Sequence, residues 1–222
     1  INISIIGTRG YPYVYSGYET FVKHLSECLV FKDCNVTVYC HKGLFEIRPK
    51  EIKGIKLVYI PTIETKILSQ PIHSFLSIIH ACFSNTDVLL VVNSANGPFG
   101  LLTKLFKVPT AINVDGLEWL RPKWKGLGSI YFKWASKMAT LFYDQIINDS
   151  EEMRKVYLDL FKRDSKVIAY GANIRKSKNP ELINKWNLKQ REYYLVIGRL
   201  IPDNNADLII KGFLKSNSKK KL

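Results

Sequence analysis

Asn2-Ile3-Ser4-Ile5-Ile6-Gly7-Thr8-Arg9-Gly10-Tyr11-Pro12, running on to Ser16-Gly17-Tyr18-Glu19-Thr20, is the stretch that decides the fold. Residues 3–6 are an alternating and then fully apolar run, the pattern of a buried strand. Glycines and a proline break that run, and over 18–31 apolar residues recur at helical spacing. A strand, a glycine-rich loop and a helix in succession open a strand–helix unit.

The same alternation continues along the chain. Strands are predicted over 36–40, 56–60, 88–92, 110–114, 145–147 and 167–169. Helices are predicted over 72–83, 99–106 and 129–142, and from an N-cap at Ser150 through residue 160. Helices set between fully apolar strands imply an α/β fold: a doubly wound, Rossmann-like parallel sheet covered on both faces. Ligands of such sheets lie outside the carboxyl ends of the strands, so the loops there are the place to search.

Composition shifts after Tyr170. Residues 171–190 are polar, contain Pro180 and one weak helix over 181–186, and read as an interdomain linker. A fresh apolar strand over 192–197, the turn Gly198-Arg199 and a helix over 207–214 follow. A strand and a helix cannot bury a core by themselves. The expectation is therefore a domain over 1–170, a linker over 171–190, and over 191–222 the first unit of a second, truncated Rossmann-like domain.

The 222 residues are 46% apolar and 23% charged, an ordinary globular balance that argues against a disordered tail or a multi-span membrane protein. The longest strongly apolar run, Val88-Leu89-Leu90-Val91-Val92, is far shorter than a membrane span. Cys28, Cys34, Cys40 and Cys82 form no C-x-x-C pair and read as reduced, mostly buried thiols. Lys and Arg total 33 against 19 acids, a net +14, which suits nucleic acid, anionic lipid or phosphorylated small molecules alike. Gly7-x-x-Gly10 is not a dinucleotide fingerprint, and the second strand ends Tyr39-Cys40-His41 without an acid, which argues against an NAD enzyme. A phosphate-binding P-loop is absent from the sequence. Neither a helix-turn-helix nor an RNA-binding strand signature accompanies the charge, which argues against nucleic acid.

Three loops could carry chemistry. In the first, Gly7, Gly10 and Gly17 let backbone approach a ligand, Arg9 offers a fork for a phosphate or carboxylate, and Glu19 stands at the helix start. The competing reading is a plain strand–helix turn with Glu19 placed at the positive helix end. After the strand over 88–92 comes the small polar loop Asn93-Ser94-Ala95-Asn96-Gly97-Pro98. After the strand over 110–114 come Asp115, Glu118, Trp119, Arg121 and Lys123-Trp124-Lys125. Asp115 and Glu118 could share acid–base work or hold a sugar's hydroxyls, and Asp115-Gly116 could equally be a turn. On the helix over 129–142, Ile130, Trp134, Met138 and Leu141 share one face and Lys133, Lys137 and Thr140 another. That pattern predicts an apolar stripe packed on the sheet, with a second reading in which a basic, aromatic rim rests on an anionic membrane.

Taken in order, IIGTRGYPYVYSGYETFVKHL (5–25), NVDGLEWLRPKW (113–124), NDSEEMRKVY (148–157), YGAN (170–173) and YYLVIGRLIPDNN (193–205) resemble a family-4 retaining glycosyltransferase of the GT-B fold. The resemblance is closest to its bacterial rhamnosyltransferase-like subgroup, which builds cell-surface polysaccharide. It implies two Rossmann-like domains facing across a cleft, the first binding acceptor and the second nucleotide sugar. Gly7, Arg9, Gly10, Gly17 and Glu19 would then border the cleft near the donor's phosphates, with Asn93 and Asn96 beside them. Asp115 and Glu118 would be the catalytic pair, Arg121 would line the acceptor side, and Arg199 and Asn205 would meet the diphosphate. Many relatives carry a Lys shortly after the Gly-Arg turn, where this chain has Pro202-Asp203-Asn204-Asn205. The resemblance further implies no metal, dTDP-rhamnose as donor, a lipid-linked glycan as acceptor, and a cytoplasmic site at the inner membrane face. The two glutamates that grip the donor in this family would lie beyond Leu222, so the chain alone is expected to be inactive. The alternative is a non-catalytic glycan- or membrane-binding remnant of such an enzyme.

Overall fold

β1 (Asn2–Ile6) runs through the middle of the sheet, with Ile5 and Ile6 fully buried against opposite faces. The computed structural model describes all of residues 1–222 except Val14, Tyr15, Glu64, Lys66, Ile67, Asp115, Asn173, Arg175 and Arg199, and the side chain of Asp203. The further strands are β2 (Asn35–His41), a two-residue β3 (Glu51–Ile52), β4 (Ile55–Ile60), β5 (Val88–Val92), β6 (Thr110–Val114), β7 (Gln145–Asn148) and β8 (Lys166–Val167). They form one eight-stranded sheet in the order β3-β4-β2-β1-β5-β6-β7-β8. Every pairing is parallel except that of β3, which turns back along β4.

The chain steps outward from β1 to β4 and then returns to the other side of β1 with β5. The order therefore reverses between β1 and β5, the topological switch point at which open sheets bind ligands. Register follows burial: Ile3 lies opposite Val36 on one side and Val88 on the other, and Ile6 lies opposite Val91.

α1 (Gly17–Phe31) covers one face, seating Val22 with Val36, Val38, Cys40, Ile55 and Val92. α2 (Ser69–Cys82), α3 (Gly100–Leu105), α4 (Leu127–Phe142) and α5 (Glu151–Phe161) follow in turn. Ile78, Ala81, Phe132, Ala139 and Tyr157 from α2, α4 and α5 pack with Ile6, Leu89, Val91, Ile112 and Ile146. Each fully buried aliphatic side chain contributes roughly 1.5–3 kcal/mol. Because both faces are covered, strand residues of either parity are buried, and the runs read as continuously apolar.

The helix expected over 99–106 forms as α3, and a 3-10 turn, Ser94–Phe99, precedes it, with Asn93 Oδ1 accepting from Ala95 N at 2.9 Å. The structure departs from expectation in two places. The strand expected over 192–197 does not form: among the described residues its β pairing is a single Tyr193–Lys221 bridge, with Tyr194 N donating to Lys221 O at 2.8 Å, and Leu195 and Ile197 are exposed. A strand needs a ladder of partners, and none of the described residues supplies one there. The helix that follows does form, as α6 (Ala206–Lys215).

The second departure is the rotation of α4. The stripe expected to face the sheet points outward, with Ile130, Trp134 and Leu141 exposed, whereas Thr140 is buried. Ala135, Ser136 and Ala139 face inward instead. The cause is close packing: a Cβ on Gly97 of the 3-10 turn would fall 1.9 Å from the Ala135 carbonyl oxygen. At that separation only small residues fit where α4 meets the turn.

Candidate functional site

The loops singled out in the sequence leave the carboxyl ends of β1, β5 and β6, which are neighbours in the sheet. Gly7 follows β1 with φ +107°, and a Cβ there would lie 2.3 Å from Val92 O and 3.0 Å from Asn96 Nδ2. Only glycine combines that backbone angle with that approach. Gly10, at φ +126°, presses similarly on the Cys40 side chain. The loop is thereby drawn down onto the ends of β2 and β5, and His41 N donates to Arg9 O at 3.1 Å.

Glu19 anchors this loop to α1. Its buried carboxylate accepts from Arg9 N at 3.1 Å, from Ser16 N at 2.9 Å and from the Ser16 hydroxyl. The bond to Ser16 N is one half of a capping box. Arg9 and Glu19 are thus joined through the main chain, and Glu19 holds the loop in shape. Gly17, by contrast, has nothing within 4 Å of where its Cβ would be, so the start of α1 is open. Glu19→Ala would leave two backbone N–H groups without acceptors and is expected to lower stability by about 2 kcal/mol. Urea unfolding checks this, and an unchanged midpoint would refute it.

Asn93 and Asn96 serve the neighbouring turn. Asn93, at φ +78°, starts the 3-10 segment, and its backbone N–H donates to Asn113 O at 2.9 Å. Asn96 is buried; its Nδ2 donates to Val92 O at 2.7 Å and its carbonyl accepts from the Tyr143 hydroxyl at 3.0 Å.

Glu118 lies on a short 3-10 turn after β6 and is surrounded by donors. Arg121 Nη1 reaches Oε1 at 2.7 Å, while Trp124 Nε1 and Lys123 Nζ reach Oε2 at 2.7 and 3.2 Å. Burial pushes its pKa up, but the Arg121 and Trp124 hydrogen bonds and the Lys123 charge outweigh burial and hold the carboxyl below the usual range. Such a carboxylate is a fixed anion that orders Arg121 and the aromatic loop, and a weak proton acceptor at neutral pH. Its expected partner Asp115 lies outside the described residues, as does Arg199. Asn205 begins α6 at φ +51°, and its side chain does not cap that helix.

Three groups at this edge escaped sequence reasoning. The Tyr170 hydroxyl donates to Asn113 Oδ1 at 2.8 Å while its ring sits 5.1 Å from Phe21, so it reaches from α1 to β6. Thr8 Oγ1 and one carboxylate oxygen of Asp149, just after β7, are buried with no hydrogen-bond partner, an uncommon state for polar atoms. Tyr170 and Asp149 lie in the YGAN and NDSEEMRKVY motifs, which were the available signal. An open hollow of about 400 Å³ lined by Asp144, Gln145, Arg163 and Lys166 is at the opposite edge, where β7 and β8 begin. Among the described residues no cluster of three or more His, Cys, Asp or Glu could hold a metal ion, and no helix is long and apolar enough to cross a membrane.

Comparison with solved structures places this sheet among GT-B glycosyltransferase folds. Over 99% of its length the chain superposes on sucrose-phosphate synthase from Thermosynechococcus elongatus, at 15% identity and TM-score 0.74. It spans 60% of that protein's length. Phytolacca americana UGT2, complexed with UDP-2fluoro-glucose and pterostilbene, matches 83% of the chain at 10% identity and TM-score 0.53, with 56% of UGT2 covered. Identities this low establish the fold alone. No curated protein sequence matches the chain. The family described as "Domain of unknown function (DUF1972)" matches residues 1–173, from β1 through β8 and Tyr170, and the chain belongs to that family.

Proposed function

We propose that this chain is the acceptor-side part of a retaining, nucleotide-sugar-dependent glycosyltransferase. In this reading the enzyme moves a hexose or deoxyhexose, rhamnose in particular, from dTDP-rhamnose to a lipid-linked or polysaccharide acceptor. The work takes place at the cytoplasmic face of the membrane, in cell-surface polysaccharide synthesis. The observation that carries the reading is the meeting of the Gly7–Gly10 and Asn93–Asn96 loops at the switch point of a GT-B sheet, with the Glu118–Arg121 loop one strand further on.

Each part has a job in that reaction. The open start of α1 at Gly17 presents backbone N–H groups and the positive end of the helix dipole to the departing diphosphate. Arg9 adds positive charge there, Arg199 is given the same role on its sequence motif, and no resident metal is needed to stabilise the leaving group. Glu118 fixes Arg121 and Trp124 as a platform for acceptor sugar. Asp115 is assigned to the acceptor side on its sequence motif, and a donor phosphate oxygen takes the proton of the attacking hydroxyl during same-face attack as the bond from sugar to diphosphate breaks. The UDP-sugar held by Phytolacca americana UGT2 supports a nucleotide sugar as partner.

Transfer assays with radiolabelled dTDP-rhamnose and a lipid-linked sugar, using the protein encoded by the whole reading frame that carries this sequence, test the proposal. Label in the lipid phase, insensitive to EDTA and with the donor's anomeric configuration kept, is the expected result. Absence of transfer from any nucleotide sugar would overturn the enzyme reading. Transfer from a different donor would overturn the rhamnose assignment alone.

A further inference from the structure

The outward side of α4 is an apolar stripe set in positive charge. Leu127, Ile130, Trp134 and Leu141 are 85%, 66%, 48% and 52% exposed. At 100° per residue they fall within an arc of roughly 60°. Leu120 precedes them and is 67% exposed, and Leu101 and Leu105 are exposed on α3, the helix packed beside α4. Lys104 Nζ ties the two helices together by donating to Leu141 O at 3.3 Å. Between Glu118 and Asp144 the chain carries Arg121, Lys123, Lys125, Lys133 and Lys137 and not one acidic residue.

An exposed, contiguous apolar stripe of this kind marks a surface that docks on something. Charge selects the occupant. A second copy meeting this face symmetrically would bring the same lysines together. An anionic bilayer would neutralise them and take up the leucines, the isoleucine and the tryptophan at headgroup depth. We propose that the α3–α4 face seats the protein on an anionic membrane, with α4 lying in the plane of the interface. α4 begins just after the loop that holds Glu118, Arg121 and Trp124, at the ligand edge of the sheet. A lipid-borne acceptor would therefore rise from the bilayer beside the site, which rests on the acceptor class proposed above.

Co-sedimentation with phosphatidylcholine vesicles, with and without about one-third phosphatidylglycerol, tests the docking. The chain is expected to pellet with the anionic vesicles only. The double variant Lys133→Glu/Lys137→Glu should weaken binding by at least about 25-fold, roughly fivefold for each lysine removed. Ile130→Ser/Trp134→Ser should also release the protein while leaving its urea midpoint unchanged, because both side chains are exposed. Equal pelleting with neutral and anionic vesicles, or indifference to the charge reversals, would overturn the proposal. So would a dimer in sedimentation velocity that the same substitutions dissociate. The vesicles hold no sugar acceptor, so docking without transfer and transfer without docking fail different claims.

Discussion

Gly97→Ala is expected to lower the melting temperature by roughly 6–12 °C, the effect of losing about 3 kcal/mol in a chain of this size. The new Cβ would stand 1.9 Å from Ala135 O, 2.8 Å from Ala139 N and 2.9 Å from Ala135 C, all backbone atoms of α4. No rotamer change can relieve a clash with main chain, so α4 or the 3-10 turn must move by more than an ångström. Movement of the turn displaces Asn96, whose amide caps Val92 O, and with it the support beneath Gly7. Stability and the shape of the ligand edge should therefore be lost together. Gly17→Ala is the control: it meets nothing within 4 Å and should change stability by less than about 1 kcal/mol. Calorimetry on the two variants decides the matter, and equal melting temperatures would show that α4 yields without cost.

The elements legible in the sequence are those whose signal is local. Strands β1, β5 and β6 announce themselves because both faces are covered: β5 is wholly apolar, and β1 and β6 carry apolar residues on both faces with only a few small or amide side chains among them. The glycines at 7 and 10 stand where a turn had to be. What stayed hidden depends on partners distant in the chain. The rotation of α4 is set by how closely Gly97 packs, and a periodicity argument assigns the larger side chains inward by default. Glu19 and Glu118 could be picked out as carboxylates at the right edge of the sheet. Their engagement with Arg9 N and Ser16, and with Arg121, Lys123 and Trp124, is set by loop geometry that composition does not encode. The strand expected over 192–197 has the right residues, yet pairing, not propensity, makes a strand.

Acidification from pH 7 to pH 5 is expected to cost about 2 kcal/mol of stability through His73 alone. His73 is fully buried on α2 and stacks on buried His41 at the end of β2, with ring centroids 3.8 Å apart and planes 19° from parallel. Burial pushes its pKa down from 6.5 to about 3, and His41 pushes it the same way, while the Cys40 backbone offsets only part. The Cys40 thiol beside them is pushed up to about 12 by burial and stays neutral throughout. Below pH 6.5 the unfolded chain takes up a proton on this imidazole that the folded chain refuses. Stability is therefore intact above that pH and falls by about 1.4 kcal/mol per unit down to about pH 3. Glu118, held below the usual carboxylate range, loses its contribution only at lower pH, so the interval from 6.5 to 5 isolates the histidine. His73→Leu keeps the site apolar and should flatten the dependence across that interval, as read from urea midpoints at the two pH values. An unaltered slope in the variant would remove His73 as the cause. Because His41 stacks on His73 and its backbone N–H holds Arg9 O, a proton forced onto His73 would loosen the Gly7–Gly10 loop first. Proteolytic nicking in that loop should then precede global unfolding as the pH falls.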